Sequence, residues 1–359
     1  MDLSHYSLPD RWIHRLAFAT LDLQEDLSRL ESRLFQEDMT ALPTPAPVFI
    51  TSLARAGTTL LLELLEQCGE FACHTYRNMP FVFLPLLWDQ VSRKHRVALP
   101  AVERAHGDGM TVHADSPEAF EEILWKHFWP EKYPADRILT WNSSDRNARF
   151  ESFYADHIRK VTLLNRRVAP QRRRYLAKNN VNITRLTWLP RVFPQCKIVV
   201  PVRDPVSHVT SLVRQHQRFM QRHQEDAFAS RYMDWLGHHE FGSRLKPCDF
   251  DNWLGSSPRD TLRPDFWYDY WSACHRSLLT VSGPHVLLFD YNAACRDPTP
   301  HLRELARFLE LAHPEALLRQ AARFRAPRGE QPPPDEAATA LEIYRSLQEK
   351  MRCQLLDAP

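Results

Sequence analysis

The chain has 359 residues, of which 43% are hydrophobic and 25% charged, the balance of a globular protein with room for one large α/β domain. A formal net charge of +2 gives no global pull toward nucleic acid, and the short Arg-rich stretch 166–174 reads as a solvated helix end. The seven cysteines are scattered and form no CxxC pair, and the 17 histidines form no HExxH, so neither a disulfide framework nor a metal site is expected. The N-terminus lacks the basic-then-apolar order of a signal peptide, and Pro85 interrupts an apolar run already far short of a membrane span. A cytoplasmic protein is expected.

Along the chain, residues 20–38 carry Leu23, Leu27, Leu30 and Leu34 on one helical stripe. The Pro-rich stretch 42–48 ends that helix and leads into a strand, VFIT, followed by a helix over 59–67. Helical patterns recur at 117–129 and at 151–168, the latter with Phe153, Ile158, Val161 and Leu164 on its apolar side. A further short helix is expected over 185–193. KIVVPV (197–202) reads as a buried strand, and PVSHVTSLVRQHQRF as the helix after it. The polar, Trp-containing stretch 222–265 reads as an insertion. A helix at 266–281, the strand HVLLFDY and a helix from 299 to 311 resume the rhythm. A linker at 331–336 precedes a last helix, 335–356, with Ala340, Tyr344, Leu347 and Met351 in phase. Short apolar strands alternating with helices predict a three-layer α/β domain with a central parallel sheet. No internal repeat and no second domain are visible, so residues 1–359 read as one domain with its core at 47–312.

The loop between the first strand and its helix reads Ala54-Arg55-Ala56-Gly57-Thr58-Thr59-Leu60, in a chain with only 9 glycines. Backbone N–H groups at a helix N-terminus attract anions. Gly57 permits close approach, the two threonines add hydroxyl donors, and Arg55 adds charge. The same residues also suit a plain strand–turn–helix connection capped by threonine. A nucleotide kinase or triphosphatase loop would need GxxxxGK[ST], and both the first glycine and the lysine are absent.

Arg-x-Gly-Thr-Thr after a strand resembles the 5′-phosphosulfate loop of sulfotransferases that use 3′-phosphoadenosine-5′-phosphosulfate. IVVPVRDPVSHVTSL resembles that family's second motif, a strand followed by Arg203 and, eight residues later, Ser211. LLFDYNAACRDPTPHLRELARFLEL resembles a third, with Tyr291 at the strand end. The resemblance implies a P-loop-like fold with helical insertions. It implies that Arg55, Ala56, Gly57, Thr58, Thr59 and Leu60 bind the 5′-phosphosulfate and that Arg203 and Ser211 hold the 3′-phosphate. It also implies that Tyr291 lies near the adenine and Lys178 near the transferring group. Arg325 or Arg328 is a looser candidate for the 3′-phosphate.

The resemblance further implies 3′-phosphoadenosine-5′-phosphosulfate as donor and adenosine 3′,5′-bisphosphate as product. The acceptor would be a small molecule, carbohydrate or peptide. No metal and no nucleic acid are expected in the reaction. The acceptor proton needs a base, and here the sequence departs from its relatives. Asn180 stands where the cytosolic enzymes carry a histidine, and 73–80 has no carboxylate where other relatives carry a glutamate. His74 is the nearest ionisable side chain and the leading candidate, with Asp115 and Glu118 as rivals. A donor-binding protein without catalysis therefore stays open beside the enzyme, as does the kinase.

Overall fold

The apolar run Val48–Ile50 (β1) is buried on both faces and lies at the centre of a five-stranded sheet. The computed structural model describes residues 8–43, 46–93, 102–103, 111–112, 115–255, 260–325 and 332–356. The other strands in chain order are Phe71–Ala72 (β2), Val102–Glu103 (β3), Thr111–Val112 (β4), Ile138–Leu139 (β5), Arg174–Lys178 (β6), Lys197–Val202 (β7), Cys248–Asp249 (β8) and Val286–Asp290 (β9). The main sheet runs β2-β6-β1-β7-β9, and every pairing in it is parallel. Two short pairs, β3 with β4 and β5 with β8, lie outside it.

Helices cover both faces, as parallel strands with two apolar sides require. On one face Val48, Ile50, Leu176, Val199 and Phe289 pack with Leu61, Leu65, Leu302 and Leu305. On the other, Phe49, Tyr175, Ile198 and Leu288 meet Tyr154, Trp188, Trp271 and Leu347. This is the expected α/β architecture. The helix Ala338–Leu356 buries Ala340, Tyr344, Leu347 and Met351 as its phase predicts. The stretch at 117–129 becomes helical only at Glu122–Phe128. Among the described residues no helix is long and apolar enough to cross a membrane.

Two expectations need correction. The leucine stripe of the helix Leu21–Leu34 faces outward, while Gln24, Glu25, Ser28 and Glu31 are buried against the body. Buried partners reverse the usual preference. Lys160 Nζ lies 3.1 Å from Glu31 and donates to the Ser28 carbonyl at 2.7 Å, and Glu25 pairs with Arg149 and His127. A buried charge with matched partners is tolerated inside. The basic stretch 166–174 is likewise only partly a solvated helix end. Arg172 pairs with Glu66, and Arg174 opens β6 and donates to the Ala46 carbonyl at 2.6 Å.

Several histidines are buried and neutral. Burial is the largest cause that lowers His74 and His216 to about 4 and His275 to about 3. The unfolded chain binds protons at these sites below the ordinary value of about 6.5, while the folded chain does not. Stability therefore falls as pH drops from about 6.5 toward about 4. Urea midpoints measured across that interval should decline steadily. A flat profile would contradict neutral burial.

Candidate functional site

β1 has neighbours on both sides, and the chain leaving its C-terminal end enters the crevice where ligands of parallel sheets bind. Its extension is pinned: Thr51 N donates to Val199 O at 3.0 Å, Thr51 Oγ1 to Asn180 O at 3.1 Å and Ser52 Oγ to Pro201 O at 2.8 Å. The turn uses two left-handed residues, Arg55 (φ 71°) and Gly57 (φ 99°). The helix Thr58–Glu66 follows, with no side-chain cap on its first N–H groups. Those donors face a cleft of about 790 Å³.

Arg55, Gly57, Thr58, Thr59, Leu60, Lys178, Arg203 and Tyr291 all line this cleft, as does Arg325. Ala56 is fully buried, and Ser211 lies behind the wall, accepting from Arg55 Nε at 3.3 Å. Arg203 leaves the end of β7. Asp204 caps the next helix through Ser207 N at 2.9 Å, and Pro205 is its first residue, as the sequence predicts. Arg203 donates to the Arg55 carbonyl at 2.9 Å and to Ser207 Oγ at 3.2 Å. Burial lowers its pKa, Tyr291 opposes that, and the Arg55 charge adds to it.

His208 braces the loop from beneath. Its Nε2 donates to the Ala54 carbonyl at 2.7 Å, and its Nδ1 accepts from the Trp271 indole at 3.2 Å. These partners fix one neutral tautomer, and burial holds its pKa well below the ordinary value. Above the loop, the Tyr291 ring lies so close to Gly57 that a Cβ there would sit 2.3 Å from Cε2.

Residues 47–242 match the family model described as the sulfotransferase family. The chain belongs to that family. Sulfuryl transfer is accordingly its general activity. Structural similarity is found to sulfotransferase STF9 from Mycobacterium avium at 17% identity and TM-score 0.47, covering 90% of this chain and 81% of that one. STF1 from Mycobacterium tuberculosis H37Rv gives 15% and 0.41 over the same shares. The sulfotransferase domain of the Synechococcus PCC 7002 olefin synthase gives 14% and 0.36, over 86% of this chain and 96% of that one. No curated protein sequence matches.

The candidate bases of this sulfotransferase sit in different places. His74 is buried away from the cleft wall. Asn78 Oδ1 accepts from Thr75 N at 2.8 Å, so the His74 Nδ1 contact with it at 3.2 Å is a donation. The remaining His74 nitrogen, Nε2, then accepts from His157 Nε2 at 2.9 Å. Its lone pair is used up inside the protein, and burial lowers its pKa to about 4. That environment withdraws His74 as the base. Asp115 is exposed, pairs with Arg77 and lines a separate surface depression. Glu118 does line the cleft, and it accepts from the Tyr76 hydroxyl and from Ala119 N at 2.8 Å.

Sequence reasoning missed Glu240, a cleft carboxylate contributed by the insertion together with His238 and Phe241. Asn180 joins it to the loop: Thr58 Oγ1 donates to Asn180 Oδ1 at 3.3 Å, and Asn180 Nδ2 to Glu240 Oε1 at 2.8 Å. The only local signal is its place in GHHEFG between Gly237 and Gly242, both at positive φ. Arg328 lies outside the described residues. Among those described, no cluster of three or more His, Cys, Asp or Glu side chains is disposed to hold a metal.

The Gly57–Tyr291 contact is testable by itself. Gly57→Ala should destabilise by at least ~1–2 kcal/mol from left-handed strain, plus the overlap with the ring. Tyr291→Ala in the same chain removes the overlap and leaves the strain, so the two changes should be strongly non-additive in urea unfolding. Simple additivity would show that the ring does not press on the loop.

Proposed function

We propose that the protein moves a sulfuryl group from 3′-phosphoadenosine-5′-phosphosulfate to a hydroxyl or amine acceptor and releases adenosine 3′,5′-bisphosphate. One observation carries the reading: the uncapped N-terminus of Thr58–Glu66 meets Arg55, Lys178 and Arg203 in a single cleft. The residues fit such a donor. A side chain at Gly57 would strike the Tyr291 ring, Arg55 and Arg203 both line the cleft, and the volume suits a nucleotide. The buried free thiols Cys68, Cys73, Cys196, Cys248, Cys274 and Cys295 fit a reducing, cytoplasmic setting.

When bound, the donor supplies the SO₃ unit, which passes to the acceptor oxygen as the bridging S–O bond breaks. The first-turn amides and the hydroxyls of Thr58 and Thr59 orient the phosphosulfate. Arg55 and Lys178 oppose the charge that grows on the leaving oxygen, where fixed donors and cations act most strongly. Arg203 holds the 3′-phosphate, with Ser211 behind it, and Tyr291 covers the loop beside the nucleoside. The acceptor proton goes to a cleft carboxylate. Glu240 is the base we assign, because Asn180 orients one of its oxygens. Glu118, whose two oxygens both accept within the protein, positions the wall.

Adenosine 3′,5′-bisphosphate should raise the melting temperature far more than adenosine 5′-phosphate does. Arg203→Ala should weaken that binding by ~1.5–3 kcal/mol, and Ser211→Ala by less, in calorimetric titration. Equal shifts from both nucleotides, or a larger one from ATP with magnesium, would sink the donor assignment.

Glu240→Gln should keep adenosine 3′,5′-bisphosphate affinity and lower turnover ~10²–10⁴-fold toward alcohols, with a smaller loss toward acidic phenols. Glu118→Gln provides the comparison. A wild-type rate for Glu240→Gln on an alcohol, with Glu118→Gln inactive, would move the base to Glu118.

A further inference from the structure

The helix Leu21–Leu34 is fixed to the body by its polar side. Glu31 accepts from Leu86 N and Leu87 N at 2.9 and 2.7 Å besides pairing with Lys160, and Glu25 accepts from His127 at 2.9 Å. Among the described residues its apolar side is open. Leu23, Leu27, Leu30 and Leu34 are 57%, 36%, 48% and 62% exposed. Single exposed leucines are ordinary, but four in the 4-3-4 spacing form the seam of a two-helix coiled coil.

The charges beside the seam select its occupant. Asp22 and Asp26 flank the N-terminal half and Arg29 and Arg33 the C-terminal half, all of them exposed. Asp26, which pairs with Arg29 of its own helix at 2.9 Å, is brought against Arg33 of a second copy laid antiparallel, and two-fold symmetry repeats the contact. A parallel copy makes no such contact, because the two rows holding Asp26 and Arg33 then lie on opposite sides of the seam. An anionic membrane surface would meet two aspartates at the rim, where lysines and arginines are needed.

We propose that two copies of this chain pair through Leu21–Leu34, antiparallel about a two-fold axis. Leu27 then packs on Leu30 of the second copy, and Leu23 on Leu34. The buried ion pairs have already ordered the helix, so association carries little ordering cost. A seam of 14 residues is about 21 Å long, which makes a small interface and a reversible dimer. Trp12 and Leu16, 67% and 61% exposed on the preceding helix Leu8–Ala19, offer further apolar surface.

Sedimentation velocity of the full chain from about 1 to about 100 μM should show a monomer–dimer equilibrium. Leu30→Glu should keep the circular dichroism and melting temperature and raise the dissociation constant roughly 30-fold or more. Arg33→Asp and Asp26→Arg should each weaken the dimer, and the combined variant should recover most of the loss. A monomer throughout the range, Leu30→Glu pairing like wild type, or charge reversals whose losses add would overturn the proposal. So would binding of the monomer to phosphatidylserine vesicles that Leu30→Glu abolishes, which would give the face to a membrane.

Discussion

The pairing of three residues on both sides at once governs the molecule. Val48–Ile50 align with Leu176–Lys178 on one side and Lys197–Val199 on the other, all in parallel. Parallel pairing sends the C-terminal ends of the strands to one edge of the sheet. Lys178 and Arg203 therefore emerge beside the turn at Arg55, although more than a hundred residues of sequence separate them from it. The cleft chemistry follows from that register. A shift of one residue would turn Phe49 toward the helix Thr58–Glu66 and break both cores.

The second constraint is space at the turn. Left-handed backbone at Gly57, the Tyr291 ring over it and the His208 bridge under it leave the loop one arrangement. Gly57, Thr58, Thr59 and Leu60 are thereby held at the cleft wall. In the function proposed above, donors fixed in this way would act on developing charge without reorganising at the moment of reaction. The joint of Arg203 to the Arg55 carbonyl ties the second cation to the same loop.

What the sequence disclosed followed physical regularity. β7 and β9 are unbroken apolar runs, and the loop, Arg203 and Tyr291 stand at strand ends with recognisable spacing. β6 was harder to see, because it starts at Arg174 and ends at Lys178 and so looks polar; main-chain carbonyls meet Arg174. The period of Leu23, Leu27, Leu30 and Leu34 was plain, but its direction depended on Lys160, far along the chain. Position in the stretch 73–80 and residue type put His74 forward as the base, and no sequence shows that His157 occupies its lone pair. Glu240 follows no motif, so only the path of the insertion brings it to Asn180.

The matched family segment begins at residue 47, after the helix that carries Glu31. Excising that segment as a minimal catalytic unit would strip the carboxylate from Lys160, whose side chain is 1% exposed, and the acceptor from Leu86 N and Leu87 N. The ammonium group and the two amides would lose these partners together, and the surface that the helix covers would be laid bare. The leading helices are thus a structural keystone rather than an appendage, and the boundary of the recognisable family lies inside the smallest piece of chain that closes its own electrostatics.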